Sequence, residues 1–466
     1  MSALVTPSPR PPEDRCPGAL RAHQAADGLL VRVRLPGGQL RPVQLRVLAD
    51  LARTDGDGAL ELTSRANLQL RGLADDTAVR RVADRVAAAG LLPTATHERV
   101  RNLLASPLSG RDRAGRLDVR PMVRDLDAAL RGAPDLASLS GRFLFALDDG
   151  RYDVAALGAD LCWTGGSGIL LLAGTDTGLR AGPDDAVELL IAAARAFLRV
   201  RADRRDLWRL ADLPDGPARV TAALDRPTEA APRPTAPATV GSPSGMSTVS
   251  LSTGSTTVGP SSGMSGVGLP PGISDVRSPH GTSDDGSPDR SGPAPVVGGY
   301  PGGVVVAAAR LGRLTAEQAH LLAEMASTDE IIITPWRSLV LDTGGPDIVG
   351  RLATAGLLVD PASPWLGVTA CTGRPGCASA LADVRRDVTD ALSEVGVGVG
   401  VGVGAGPATG AVLPVHVVGC ERRCGRPVGP AVLAVATGAG YRIEAPGHSG
   451  SGTPSAALAA RAERQT

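Results

Sequence analysis

Apolar residues recur along this chain in two rhythms, and one succession of rhythms occurs twice. In GLLVRVRL (28–35) they form a strand-like run, and Leu45, Leu48 and Leu51 follow at helical spacing. ALELTSRANLQL (59–70) alternates as two short strands broken by a polar turn. Val79, Val82 and Val86 then mark a helix that ends at Gly90, before Leu91 and Leu92. The second copy begins with GGVVVAAAR (302–310) as the strand and Ala319, Leu322 and Met325 as the helix. EIIITPWRSLVL (330–341) is its broken strand pair, and Ile348, Leu352 and Ala355 lead to Gly356, Leu357 and Leu358. Each copy reads β-α-β-β-α, with Thr-x-Arg in one central turn and Thr-x-x-Arg in the other. Shared order, turn chemistry and ending predict a duplicated module.

The remaining folded stretches read as α/β. FLFAL (143–147) and GILLLAG (168–174) are strand-like, and DDAVELLIAAARAFL (184–198) is a helix. LGVTAC (366–371) and AVLPVHVVGC (411–420) are strands that each enter a cysteine pair. Leu381, Val384, Val388 and Leu392 place a helix between them, and AVLAVATG (431–438) is a further strand. Residues 226–297, rich in Pro, Ser, Gly and Thr, have too few large apolar side chains to offset the entropy of ordering and read as a disordered linker. The Gly-Val run at 395–406 reads as a loop, since glycine at alternate positions weakens a strand. The boundaries follow: half-modules at 16–115 and 298–362, α/β domains at 116–225 and 363–448, and a tail at 449–466.

Composition changes this picture little. At 466 residues and 43% hydrophobic, the chain is long enough for several domains. Its net charge of zero gives no bulk attraction to nucleic acid or to an anionic membrane. Neither a membrane-length apolar run, which needs roughly 18 residues, nor the pattern of a signal peptide is visible, so the expected location is the cytoplasm. All 48 basic residues are Arg, so a single Arg is weak evidence of a site.

Six cysteines are too sparse for a disulfide scaffold. Four of them, Cys371, Cys377, Cys420 and Cys424, fall in glycine-containing turns at strand ends. Two thiol pairs on neighbouring strand-end loops suit an iron–sulfur cluster. A zinc site, usually built from pairs two to four residues apart, and ordinary buried cysteines are the other readings of the spacing.

Cys-x5-Cys followed by Cys-x3-Cys resembles the cluster motif of the sirohaem nitrite and sulfite reductases. The duplicated module resembles their ferredoxin-like half-domains. LTSRANLQLRGL (62–73) is similar to their Thr-x-Arg-x-x-x-Gln segment, and VHVVGCERRCGRP (415–427) to their His-x-x-Gly-Cys-x-x-x-Cys segment. RCPGALR, VRVRLPGG, RNLLASPLSGRD and FALDDG further resemble a sister branch, the precorrin-3B synthases. The resemblance implies an α+β fold in which duplicated ferredoxin-like half-domains carry two α/β domains that bind a cluster and a tetrapyrrole.

It also implies a 4Fe-4S cluster on Cys371, Cys377, Cys420 and Cys424, and a tetrapyrrole whose carboxylates meet Arg65, Arg101, Arg142 and Arg337, the last taken as the repeat mate of Arg65. In the sister branch the tetrapyrrole is the substrate, precorrin-3A, which is hydroxylated with O2 and closes a lactone. A reduced nicotinamide or a redox protein is the electron donor. A second, non-haem iron would draw on His97 or His416. In the reductase branch the tetrapyrrole is sirohaem, a cofactor; Gly141 and Leu144 stand where reductases carry further basic residues. Arg374, Arg423 and Arg426 flank the thiols, Asn67, Gln69 and Asn102 could reach a rim carboxylate, Asp148 and Asp149 could carry protons, and Cys16 and Cys162 are structural.

Overall fold

The computed structural model describes residues 14–224, 292–344, 347–398, 413–427, 429–446 and 448–462. The linker reading of 226–297 falls almost wholly outside the described residues; Val297, at its end, is buried.

The first module contains β1 (His23–Ala25), β2 (Gly28–Val33), β3 (Gln39–Leu40), α1 (Pro42–Thr54), β4 (Ala59–Leu62), β5 (Leu68–Leu73) and α2 (Asp76–Ala88). An α/β unit follows: β6 (Leu103–Ala105), α3 (Arg120–Arg131), β7 (Phe145–Asp148), β8 (Leu161–Thr164), β9 (Ile169–Leu172), β10 (Thr175–Arg180), α4 (Pro183–Arg201) and α5 (Gly216–Ala222). The second module repeats the first with β11 (Gly298–Tyr300), β12 (Val304–Ala308), β13 (Arg313–Thr315), α6 (Ala316–Met325), β14 (Ala326–Ile333), β15 (Ser338–Thr343) and α7 (Ile348–Thr354). The last unit has β16 (Val368–Ala370), α8 (Val384–Gly398), β17 (Val415–Val418), β18 (Val432–Thr437), β19 (Gly440–Ala445), β20 (His448–Gly452) and α9 (Pro454–Ala462).

The two modules exchange strands. Their sheets run β1-β2-β5-β4-β13 and β11-β12-β15-β14-β3, so each five-stranded sheet is completed by a short strand of the other copy. Leu314 pairs with Leu60 on one side and Leu40 with Ile331 on the other. One core joins the copies, with Leu45, Leu48 and Ala49 of α1 and Ala319 and Leu322 of α6 fully buried in it. Burial of that apolar surface, at about 25 cal/mol per Å², favours the paired modules over either alone.

The duplication extends to the α/β units. Their sheets run β10-β9-β8-β7-β6 and β16-β17-β18-β19-β20. In each, the first three strands are parallel and the last two antiparallel. A parallel pair needs a crossover, which α3 makes in one unit and α8 in the other.

Three readings need correction. Leu381 lies before α8 and is 48% exposed, because the loop that carries Cys377 takes up the residues up to 383. Residues 395–398 continue α8 as helix, and the rest of the Gly-Val run lies outside the described residues. The stretch written as a tail forms β20 and α9, and Ala457 is fully buried in the core of the last unit. No helix among the described residues is long and apolar enough to cross a membrane.

Candidate functional site

Strand alternation sets the site. Val31, Val33, Leu60, Leu68 and Leu70 point into the shared core, so the intervening residues of β2, β4 and β5 face the other way. Arg32 lies opposite Gln69, and Gln69 opposite Glu61. Arg32 Nη2 donates to Gln69 Oε1 (2.9 Å), and Gln69 Nε2 donates to Glu61 Oε2 (2.9 Å). Arg385, at the start of α8, donates Nη2 to Glu61 Oε1 (2.5 Å), linking the last unit to this polar face.

Cys371, Cys377, Cys420 and Cys424 line one cavity of about 440 Å³, together with His23, Arg71 and Arg422. The parallel pairing of β16 and β17 places the two thiol loops side by side. Gly419 N–H donates to Cys371 Sγ (3.2 Å), and Leu381 N–H to the Gly419 carbonyl (2.7 Å). Gly373, with φ of 68°, allows the turn; a Cβ there would lie 2.7 Å from a methyl of Val384. Burial pushes the Cys371 thiol up, and the neighbouring Cys377 and Cys420 push it the same way against amide donors that lower it. Cys424 is raised by burial and then by the other three thiols.

Among the described residues no three His, Cys, Asp or Glu side chains converge closely enough to hold a single metal ion. A zinc site needs its ligands at about 2.3 Å from one centre. A cubane cluster takes each thiolate on a different iron and needs a wider set of sulfurs. Four cysteines around one cavity, with an amide donated to a sulfur, fit that requirement.

A second cavity of about 740 Å³ shares a wall with the first through His23, Leu30, Arg71, Cys371, Thr372 and Cys424. Its size is that of a small-molecule or cofactor pocket. Arg15, Arg32, Arg65, Arg71, Arg142, Arg337 and Arg385 line it, with Glu61 as the one acid among its described lining residues. Arg32 Nε, Arg337 Nη1 and Arg385 Nε are buried without a hydrogen-bond partner. Burial draws the Arg65 guanidinium down to about 10, with nearby Arg209 adding to the effect, and burial lowers Arg32 and Arg337 as well. Buried donors left unpaired are costly, so this lining suits an anion, and Arg forks match carboxylates.

Residues 21–85 match the family described as "Nitrite/Sulfite reductase ferredoxin-like half domain". Over 235 residues the chain is 31% identical to the precorrin-3B synthase of Sinorhizobium sp, covering 49% of this chain and 50% of that one. The resemblance to nitrite/sulfite reductases is thus carried by the half domain at 21–85 and by partial matches to curated relatives. It is also 36% identical over 129 residues to the ferredoxin–nitrite reductase of Synechococcus elongatus, covering 26% of this chain and 25% of that protein. The matches therefore span half the length or less of these curated relatives. The Mycobacterium tuberculosis NirA protein superposes with a TM-score of 0.59 at 18% identity, over 90% of this chain and 74% of that one. At that identity it speaks for the fold alone.

The arginines read from the superfamily motifs separate in the structure. Arg65, Arg142 and Arg337 line the larger cavity. Arg101 lines neither cavity; it is 5% exposed, and its guanidinium holds Asp127 of α3 through Nε (2.5 Å) and Nη2 (3.1 Å). Its assignment to the ligand is corrected: a buried carboxylate in its own unit takes both forks. The register of the repeat is corrected as well. Thr63 N–H donates to Asn67 O, and Thr334 N–H to Ser338 O. The residue with positive φ is Ala66 in one turn and Arg337 in the other, so Arg65 matches Trp336. Arg337 reaches the cavity from the next position of its turn.

Other candidates have partners of their own. His97 bonds Thr96 and the Ala133 carbonyl. His416 has Nδ1 2.8 Å from Thr369 Oγ1 and Nε2 3.0 Å from the Cys424 carbonyl, and burial takes it down to about 4. A neutral ring that accepts from Thr369 and donates to Cys424 O satisfies both contacts and fixes the thiol loop; neither histidine presents a free nitrogen for a second iron. Asn67 caps Leu35 N–H, Asn102 holds the Gly141 carbonyl, and Arg423 pairs with Glu444. Asp148 and Asp149 are fully buried in the first α/β unit. Cys16, read as structural, lines the larger cavity, whereas Cys162 is buried. Arg32 and Arg71 were missed by motif reading. Their signal was present: charges at the outward positions of VRV and QLR, inside otherwise apolar strands.

Proposed function

We propose that this chain is a precorrin-3B synthase, which hydroxylates precorrin-3A with O2 and closes an acetate arm into a lactone. Cys371, Cys377, Cys420 and Cys424 would hold a 4Fe-4S cluster. The observation that carries the reading is the shared wall between the thiol cavity and the arginine-lined cavity, where Cys371 and Cys424 line both. When bound, the cluster supplies electrons singly, from a reduced nicotinamide or a redox protein.

The protein's own groups do the rest. Arg65, Arg142 and Arg337 grip substrate carboxylates. Arg142, 53% exposed in its side chain and 4.9 Å over the Trp208 ring, does so at the rim. The unpaired Nε atoms of Arg32 and Arg385 add directed donors deeper in. Glu61, bonded to Gln69 and Arg385, keeps those guanidiniums oriented before the ligand arrives.

The match to ferredoxin–nitrite reductases supports a second reading, a sirohaem-dependent nitrite or sulfite reductase. Anaerobic purification with iron and sulfide analysis and a visible spectrum separates the two. The synthase shows a broad cluster shoulder. With precorrin-3A, a reductant and O2 it yields a product heavier by one oxygen atom, the other oxygen leaving as water. A strong Soret band with consumption of nitrite or sulfite overturns this reading.

A further inference from the structure

Arg71 lies on β5, is 5% exposed, and lines both cavities. Its Nε and Nη2 donate to Asp27 Oδ2 and Oδ1 (3.0 and 2.9 Å), in the turn between β1 and β2. Nη2 also donates to the Gly376 carbonyl (2.9 Å), the residue before Cys377. The approach is close: a Cβ at 376 would lie 2.7 Å from Asp27 Oδ2 and 3.2 Å from Arg71 Nη2. Three segments distant in sequence therefore meet at one guanidinium, beside the thiols and between the two cavities.

We propose that Arg71 is a positioning residue that also acts through its charge. It clamps the Cys371–Cys377 loop and fixes a positive charge beside the cluster, and Asp27 opposes that charge. The proposal rests on the reading that the four thiols hold a cluster. A buried charge is weakly screened by salt, and the reduction potential of a cluster follows its local charge and hydrogen bonding. A cation stabilises the reduced cluster, which carries one more electron; a carboxylate does the reverse. Charge removal on the two sides of this pair must then move the potential in opposite directions. A clamp with no electrostatic effect would lose cluster in both variants or leave the potential in place.

The test is an EPR-monitored redox titration of full-length protein purified without oxygen, with iron and sulfide measured in every sample. Arg71→Gln moves the midpoint to more negative potential, Asp27→Asn moves it to more positive potential, and Arg71→Lys stays near the wild type. Unshifted midpoints, or shifts of one sign in both neutral variants, overturn the proposal. Should Arg71→Gln lose its cluster, the Asp27→Asn titration decides alone, and an unmoved midpoint there ends the proposal. A wild-type protein without iron and sulfide ends the cluster reading itself, an outcome distinct from failure of the charge effect.

Discussion

The two α/β units share an order of strands and helices, and they differ most at one place. In each, loops leave the ends of the first two parallel strands side by side. Ser106 follows β6, and Cys371 follows β16. Ser106 N–H donates to Leu147 O, and Cys371 N–H to Val417 O. Ser106 Oγ accepts the Asp149 N–H (3.1 Å) as Cys371 Sγ accepts the Gly419 N–H (3.2 Å). The backbone thus makes the same junction twice.

The side chains then diverge. In the first unit Arg151 ties Asp112 (2.8 and 2.9 Å) to Asp149 (2.7 Å), and Ser106 donates to Asp153 (2.6 Å), so the loops close on each other through charge. In the last unit the four thiols, with the small residues Gly376, Ala378 and Ala380, line a cavity of about 440 Å³. The fold supplies facing loops, and the residues placed on them decide whether the gap is filled by an ion-pair network or left as a thiol-lined cavity.

The largest expected effect breaks this comparison on the thiol side. Cys371→Ser puts into the last unit the residue that already occupies the junction of the first. The amide bond from Gly419 is retained and the far-UV spectrum stays native, while iron and sulfide analysis shows most of the cluster lost. Iron content equal to wild type would remove Cys371 from the ligand set.

Next comes the charge side. Arg151→Met leaves Asp149, fully buried, and Asp112 without their cation. Urea unfolding should register a loss of about 3–5 kcal/mol, the range for a broken buried pair, with iron per folded protein unchanged. A loss below the scatter of the measurement would mean that these loops do not depend on the network.

The smallest effect is a pH dependence. Burial pushes Asp153 up to about 7, nearby Asp148 adds to the shift, and its Oδ2 has no hydrogen-bond partner. An unfolded Asp ionises near 3.9. Between about pH 4 and pH 7 the native state therefore keeps a proton that the unfolded chain has lost, and stability falls as pH rises through that window. Asp153→Asn removes this contribution. Its urea midpoint should match wild type near pH 4 and exceed it at pH 8, and a constant difference across the range would exclude Asp153 as its source.

Much of this is legible in the chain itself. The β-α-β-β-α repeat was visible because each strand and helix carries its own period, as Val31 with Val33 and Leu45 with Leu48 illustrate. The duplication of the α/β units was harder to see. Their strands are short, and the loops that differ most, DDGRYD against GCERRC, are the segments that motif reading compares first. Arg101 and Arg71 were equally basic in the sequence; only the neighbours sort them, Asp127 for one and the thiol loop for the other.

The sequence alone therefore determined the main elements of the two modules, their repetition and the spacing of the four cysteines, since these depend on contacts within a few residues and on side-chain type. Tertiary structure decided the exchange of β3 and β13 between modules, the register that sets Arg65 against Trp336, and which guanidiniums face the cavity. Those outcomes depend on pairings between residues up to several hundred positions apart, as between Arg71 and Gly376. A local pattern encodes which face of an element is buried, but not which partner buries it.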